Sequence, residues 1–175
     1  MTFPTERMAN RARLLRRLGI DSSQANWSSP YEIEELGFKC NMNDVAAVLG
    51  RSQLVSLPQR IARRRDIIDR YVRSFSSVDI WPVTPCRLTD KTGAFAFSVR
   101  VNGDDRDRVR RQLSKAGIQT EIYFKSLDSF RIGLTGSVPE AHRFSKETIS
   151  LPVHDAMSDD DVDYVAEHMI GAVSS

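Results

Sequence analysis

No apolar run in this chain approaches the roughly 20 residues needed to span a bilayer, so the sequence predicts no membrane helix. Cysteine is scarce: Cys40 and Cys86 form no CxxC pair and no metal-type cluster, which points to free thiols in a reducing cytoplasm. Histidine is as scarce. His142, His154 and His168 belong to no spacing with cysteines or carboxylates that would hold a metal. No glycine-rich phosphate loop and no secretory signal is visible. Lysine contributes only five of the 25 basic residues, and a net charge of +2 is too small to imply a nucleic-acid partner.

What is present is arginine, and its placement is informative. Arg7, Arg11, Arg13, Arg16 and Arg17 crowd the start, but Glu6 and the helical spacing of the apolar residues argue against a transit peptide. The Arg63-Arg64-Arg65 run shares its stretch with Asp66 and Asp69, which reads as a solvated or ion-paired helix face rather than a phosphate patch. A chain of 175 residues, 41% hydrophobic and 27% charged, suits a globular domain with a real core.

The order of elements follows from caps and periodicity. Thr5 caps a helix running to about Leu18, with Gly19 as its stop and Met8, Ala12 and Leu15 as its apolar stripe. Residues 21–30 are turn-rich and read as an exposed loop. Asn43 caps a second helix, on which Ala46, Ala47 and Gly50 leave room for another backbone. Ser56, with Pro58 in the first turn, predicts a separate third helix whose apolar side carries Ile61, Ile68, Tyr71 and Phe75. A strand is expected over Ala94–Val101, alternating Phe95, Phe97, Val99 and Val101. Asp104 then caps a helix with Val109, Leu113 and Ala116 inward, ended by Gly117. Ile118–Phe124 reads as a further strand, Pro139–Thr148 as a helix and Ile149–Pro152 as an extended piece. Ser158-x-x-Asp161 resembles a capping box ahead of a last helix that buries Val162, Val165, Met169 and Val173. The fold class expected is α/β, or more strictly α+β: a small sheet packed with helices and preceded by a long connecting helix.

Four stretches carry a resemblance, in order and at consistent separations. They are Arg11 to Ile20, Leu36 to Leu54 (opening Leu-Gly-Phe-Lys-Cys-Asn-Met), Gly117 to Phe124, and Ile149 to His154 followed by Ser158 to Val162. Together they cover nearly the whole chain and resemble the C-terminal half of the DegT/DnrJ/StrS family of nucleotide-sugar aminotransferases. The resemblance implies fold type I, pyridoxal 5'-phosphate (PLP) as cofactor, and transfer of an amino group to a nucleotide-linked keto-sugar. It also implies that the Schiff-base lysine belongs to an N-terminal half outside this chain. None of Lys39, Lys91, Lys115, Lys125 and Lys146 stands in that lysine's context.

On that resemblance, residues 1–56 are the remnant of the large PLP domain with its interface motif, and 57–175 are the small C-terminal domain. The expected catalytic set is empty and no metal is expected. Lys39 and Asn41 fall where the family's loop reaches the PLP phosphate of a partner protomer; an exposed lysine and simple turn chemistry are their plainer roles. Tyr123 and Lys125 fall at the substrate pocket, although an aromatic on a strand also serves as core. The family more often has Asn, Tyr and Arg at Lys39, Cys40 and Asn41, His-Tyr at Tyr123-Phe124, and His near Asp128. PLP would bind only in a complemented assembly: a homodimer, or a heteromer with a lysine-bearing N-terminal half, acting on a nucleotide-sugar. The alternative is a non-catalytic nucleotide-sugar binding or regulatory module that forms mixed dimers with a full-length homologue.

Overall fold

The computed structural model describes residues 2–21, 31–83, 93–102, 105–130 and 136–175. They group into two units, Met1–Val55 and Ser56–Ser175. The expected loop at 21–30, the Asp104 cap, Cys86 and Lys91 lie wholly or almost wholly outside the described residues.

In the first unit, α1 (Glu6–Leu15) starts where Thr5 Oγ1 accepts the Met8 amide at 3.3 Å. The helix stops three residues earlier than expected, because Leu18 and Gly19 both turn left-handed at φ 62° and 75°. The two-stranded ladder of β1 (Ile20–Asp21) and β2 (Glu32–Ile33) follows, a pairing too short for alternation to reveal. None of the α1 residues is buried.

The next helix, α2 (Asp44–Ser74), corrects an expectation. It runs unbroken for 31 residues with Pro58 inside it, where the sequence predicts a second helix start at Ser56. Proline forfeits one rung of the hydrogen-bond ladder, but its φ near −65° is itself helical, so a long helix carries it at a cost. The expected Asn43 cap is present: Asn43 Oδ1 accepts the Ala46 amide at 2.8 Å. No atom lies within 4 Å of a Cβ added at Gly50, so the close approach expected there has no partner among the described residues.

The second unit is built on a three-stranded antiparallel sheet, β3 (Trp81–Pro82), β4 (Phe97–Arg100) and β5 (Thr148–Leu151), with β4 central. Phe97, Val99 and Val101 alternate inward as expected. Phe95 does not; Ala94 is left-handed at φ 47°, so extended alternation begins only after it and Phe95 stays 75% exposed. Tyr71 of α2 and Phe75, just past its end, stack on Phe97, with the Tyr71 centroid 5.9 and 5.4 Å from those of Phe75 and Phe97, and the Tyr71 hydroxyl donates to the Pro152 carbonyl at 3.1 Å. Burial pushes the Tyr71 phenol well above its ordinary pKa.

Helix α3 (Arg106–Lys115) packs on α5 (Asp159–Ser174), burying Val109 and Leu113 against Val162, Val165 and Met169. Asp105 stands at the N-cap of α3 and makes no side-chain cap bond. Ile118–Phe124 does not form the expected strand. Only Glu121 bridges the sheet, exchanging bonds of 3.1 and 2.8 Å with Ser150. Thr120 is drawn instead to Arg110, whose Nε and Nη2 donate to its Oγ1 and carbonyl. Helix α4 (Pro139–Glu147) leads into β5 as expected.

The α5 capping box is complete, the Ser158 amide and hydroxyl donating to Asp161 at 2.8 Å each. Those bonds hold the Asp161 carboxyl below its ordinary range. The expected ion-paired arginine face is there too, but its partners are far along the chain. Arg63 meets Asp159 at 2.8 Å, Arg64 meets Asp155 at 3.5 Å, and Arg70 grips Asp163 with two bonds of 2.5 Å. The grip lowers the Asp163 pKa, while Asp155 is lowered first by its own backbone amide and then by Arg60 and Arg64.

Candidate functional site

The first unit folds around one backbone contact. The Leu18 amide donates to Phe38 O at 3.0 Å, Phe38 N to Leu15 O at 2.6 Å and Cys40 N to Arg16 O at 2.8 Å. Gly19 and Gly37 make this approach possible. A Cβ on Gly37 would stand 2.2 Å from the Gly19 nitrogen, and one on Gly19 would stand 1.6 Å from Glu35 O. No side chain fits either place, so both positions require glycine. Two stretches that are separate in the sequence, Arg11–Ile20 and the Leu36-Gly37-Phe38-Lys39 opening, are thereby one structure.

That contact sets Lys39 directly opposite Arg17 in an antiparallel bridge. Residues so paired lie on one face, and two cations there repel unless an anion sits between or near them. Lys39 and Asn41 are both exposed. Asn41 also lines a cleft of about 670 Å³ with Arg13, Arg16, Arg17, Asp21 and Glu34. Among the described residues, neither Arg16 nor Arg17 has an acidic side-chain partner, whereas Arg11 pairs with Glu35 at 3.0 Å. In the stretch that leads on from this corner, the apolar side chains of Leu36, Phe38, Met42, Val45, Val48 and Leu49 are 60–95% exposed.

Tyr123 and Lys125 belong to the second unit, and they line different clefts. Tyr123 is half-buried outside the core, its ring 6.2 Å from Phe95 and 5.1 Å from Phe124; the Tyr123–Phe124 peptide is cis. It borders a cleft of about 610 Å³ with Glu121, His154, Asp161 and Tyr164. Lys125 is exposed and borders a smaller cleft of about 480 Å³ beside α4. His142, on the wall of α4, approaches Asp128 at 3.8 Å, and Nδ1 of His168 meets the Tyr164 carbonyl at 2.9 Å. No group of three or more His, Cys, Asp or Glu among the described residues is placed to hold a metal. Sequence reasoning placed Phe95 with the inward residues of a strand, and strand alternation hid its exposure; it missed Ser126 as a buried polar residue because its surroundings read as ordinary loop composition.

Membership of a family follows from comparison over the full length of these elements. Residues 1–170 match the model of the DegT/DnrJ/EryC1/StrS aminotransferase family, and the chain belongs to that family. It is 30% identical to the spore coat polysaccharide biosynthesis protein SpsC of Bacillus subtilis, covering 95% of this chain and 47% of that protein. It is also 30% identical to the dTDP-4-dehydro-2,3,6-trideoxy-D-glucose 4-aminotransferase of Saccharopolyspora spinosa, covering 95% and 46%. In structure it matches the aminotransferase TlmJ from Streptoalloteichus hindustanus with a TM-score of 0.88 at 32% identity, over 98% of this chain and 46% of TlmJ. The PMP-form of Spr1654 from Streptococcus pneumoniae matches equally, with a TM-score of 0.88 at 28% identity over 98% and 46%. The chain thus spans about half the length of the relatives it matches, and its mixed helix-and-sheet fold is that of part of an aminotransferase. No helix among the described residues is long and apolar enough to cross a membrane.

Proposed function

We propose that these residues act as the C-terminal part of a PLP-dependent sugar aminotransferase, which moves an amino group to a nucleotide-linked keto-sugar in the cytoplasm. Residues 1–56 would serve as the edge of the cofactor domain and its interface, and 57–175 as the small domain. The lysine that holds the coenzyme comes from outside these residues, in a homodimer of a longer chain or in a heteromer with a lysine-bearing half.

The observation that carries this reading is the exposed apolar surface of the first unit. Six large apolar side chains lie open within residues 36–49, and so many exposed in one short stretch is the mark of a missing partner. The chemistry of the same corner favours an anion. Lys39 and Arg17 face one way, Asn41 offers an amide, and a phosphate needs such donors. The donor set fits the phosphate end of the coenzyme, which when bound supplies the electron sink for amino transfer. Lys39 there binds and orients by charge. Tyr123 and Lys125 are the proposed substrate contacts, through a phenol and an ammonium.

The departures at Tyr123, Phe124 and Asp128 favour a second reading, a non-catalytic module that pairs with a full-length homologue. Asp128 lies 3.8 Å from Nδ1 of His142, within the same unit. The two readings separate in one experiment. The purified chain is mixed with PLP and treated with borohydride, then assayed for amino transfer alone and with a lysine-bearing half. The expected result is no reduced adduct on any lysine of this chain and activity only in the mixture. A single lysine labelled stoichiometrically in the chain alone would overturn the proposal, and an inert mixture would favour the second reading.

A further inference from the structure

Helix α3 carries four arginines, and their partners divide them. Arg106 Nε lies 2.6 Å from Asp107 and Arg108 Nη2 lies 3.0 Å from Asp105, so two of the four are neutralised locally. Arg110 and Arg111 have no carboxylate partner among the described residues, and both line a cleft of about 620 Å³ between α3 and the segment 117–121. Arg110 is half-buried and fixed in place. Its Nε and Nη2 donate to Thr120 Oγ1 and the Thr120 carbonyl at 3.2 and 3.1 Å, and Thr120 itself is buried. Bonds to neutral oxygens leave the guanidinium charge uncompensated, and a guanidinium already ordered loses little freedom on taking an anion. Arg111 adds a second, exposed guanidinium at the rim. The other wall carries Glu121. Its backbone is tied to Ser150, but its side chain is exposed and meets only the Gln119 amide, at 3.4 Å. Asp107, the remaining carboxylate of the cleft, is taken up by Arg106.

Two cations on one wall and a carboxylate on the other are poorly matched to a plain anion or a plain cation, since each would meet a like charge. They match a guest that bears both signs. A carboxylate takes the guanidinium forks, and an ammonium takes Glu121. The Ser114 hydroxyl and the Gln119 amide, both on exposed residues of the same cleft, offer donors and acceptors to a polar side chain. The volume lies within the range of small-ligand pockets. We propose that the cleft formed by Arg110, Arg111, Ser114, Gln119 and Glu121 binds a free α-amino acid with a polar side chain, its carboxylate on the two arginines and its ammonium at Glu121. The amino acid is held there, with no bond made or broken. The site goes beyond the proposed function: it shares no residue with the contacts proposed for the coenzyme or the nucleotide-sugar.

The test is NMR titration of the isotope-labelled 175-residue chain, read at the Arg110 Nε–H and at the amides of residues 117–121. The probes are L-glutamine, glutaramate (which lacks the α-amine), γ-aminobutyramide (which lacks the carboxylate) and inorganic phosphate. L-Glutamine is expected to shift these signals saturably at millimolar concentration, glutaramate and phosphate to bind about tenfold more weakly, and γ-aminobutyramide to leave them unmoved. Arg111→Gln weakens L-glutamine and glutaramate alike, by about tenfold. Glu121→Gln weakens L-glutamine by a similar factor and leaves glutaramate no weaker, which separates the ammonium contact from any general loosening of the cleft. Both substitutions change exposed side chains and leave the backbone bridge to Ser150 in place, so the melting temperature holds. The proposal is overturned if L-glutamine fails to shift the signals, if glutaramate or phosphate binds as tightly as L-glutamine, or if Glu121→Gln leaves the affinity for L-glutamine unchanged. No amino transfer enters the readout, so failure here leaves the proposed function standing, and an inactive reconstituted mixture leaves this site standing.

Discussion

Gly37→Ala tests the backbone corner on which the first unit depends. The new methyl would stand 2.2 Å from the Gly19 nitrogen and 2.6 Å from Leu15 O, both backbone atoms that no rotamer change can move. The segments must part, and three bonds go with them: Leu18 to Phe38, Phe38 to Leu15 and Cys40 to Arg16. At about 1 kcal/mol net for each, the local loss is about 3 kcal/mol, which is roughly a hundredfold in an opening equilibrium. Native-state hydrogen exchange reads this directly. The amides of Leu18, Phe38 and Cys40 are expected to lose about two orders of magnitude of protection, up to the limit of their protection in the parent chain. Amides in the ladder of β4 and β5, which belong to the other unit, keep theirs. If the three amides exchange as slowly in the variant as in the parent, the glycine contact is not what holds Lys39 opposite Arg17.

Gly50→Ala should behave in the opposite way: with open space around it, the added methyl raises helix stability by about 0.5–1 kcal/mol in thermal melts, while complex formation with a lysine-bearing half weakens if a partner backbone packs there. Phe97→Ala removes a fully buried ring from the stack with Tyr71 and Phe75, and urea unfolding should show a loss of about 3–5 kcal/mol; a loss under about 1 kcal/mol would contradict the packing described. Acid should destabilise the second unit. The carboxyls of Asp155, Asp161 and Asp163 have folded pKa values below their unfolded ones, so their contribution is fully present above about pH 4 and is lost as pH falls through the folded values. The melting temperature is therefore expected to be flat from neutral to about pH 5 and to fall below about pH 4, less steeply in Asp163→Asn.

Features set by neighbours in sequence were legible without coordinates. Thr5, Asn43 and the Ser158–Asp161 box act over three residues, and each is found where expected. The inward residues of α3 and α5 follow helical period: Val109, Leu113, Val162, Val165 and Met169 are buried, while Ala116 and Val173 at the ends are only partly so. The errors fall where distant contacts decide. Pro58 reads as a helix start by local rules, yet the helix continues through it. Ile118–Phe124 alternates like a strand, but Arg110 captures Thr120 and only Glu121 reaches the sheet. Trp81–Pro82 pairs through two residues, too few for any pattern. At the site, the family motifs could be read one by one. That Gly19 meets Gly37, and so turns two motifs into one corner, is a fact of three-dimensional contact. The buried Ser126 hydroxyl, without a hydrogen-bond partner among the described residues, is likewise invisible in a string of letters.

The grip of Arg70 on Asp163 joins positions 93 apart in the chain, and the Tyr71 hydroxyl reaches Pro152 across 81. During synthesis, α2 therefore leaves the ribosome long before anything can cover Ile67, Ile68 and Tyr71. A topology of such high contact order closes late and slowly. Until β5 and α5 have emerged, the nascent segment offers chaperones a sticky helix, and any ribosome stall upstream of Thr148 would hand quality control a product unable to shield it.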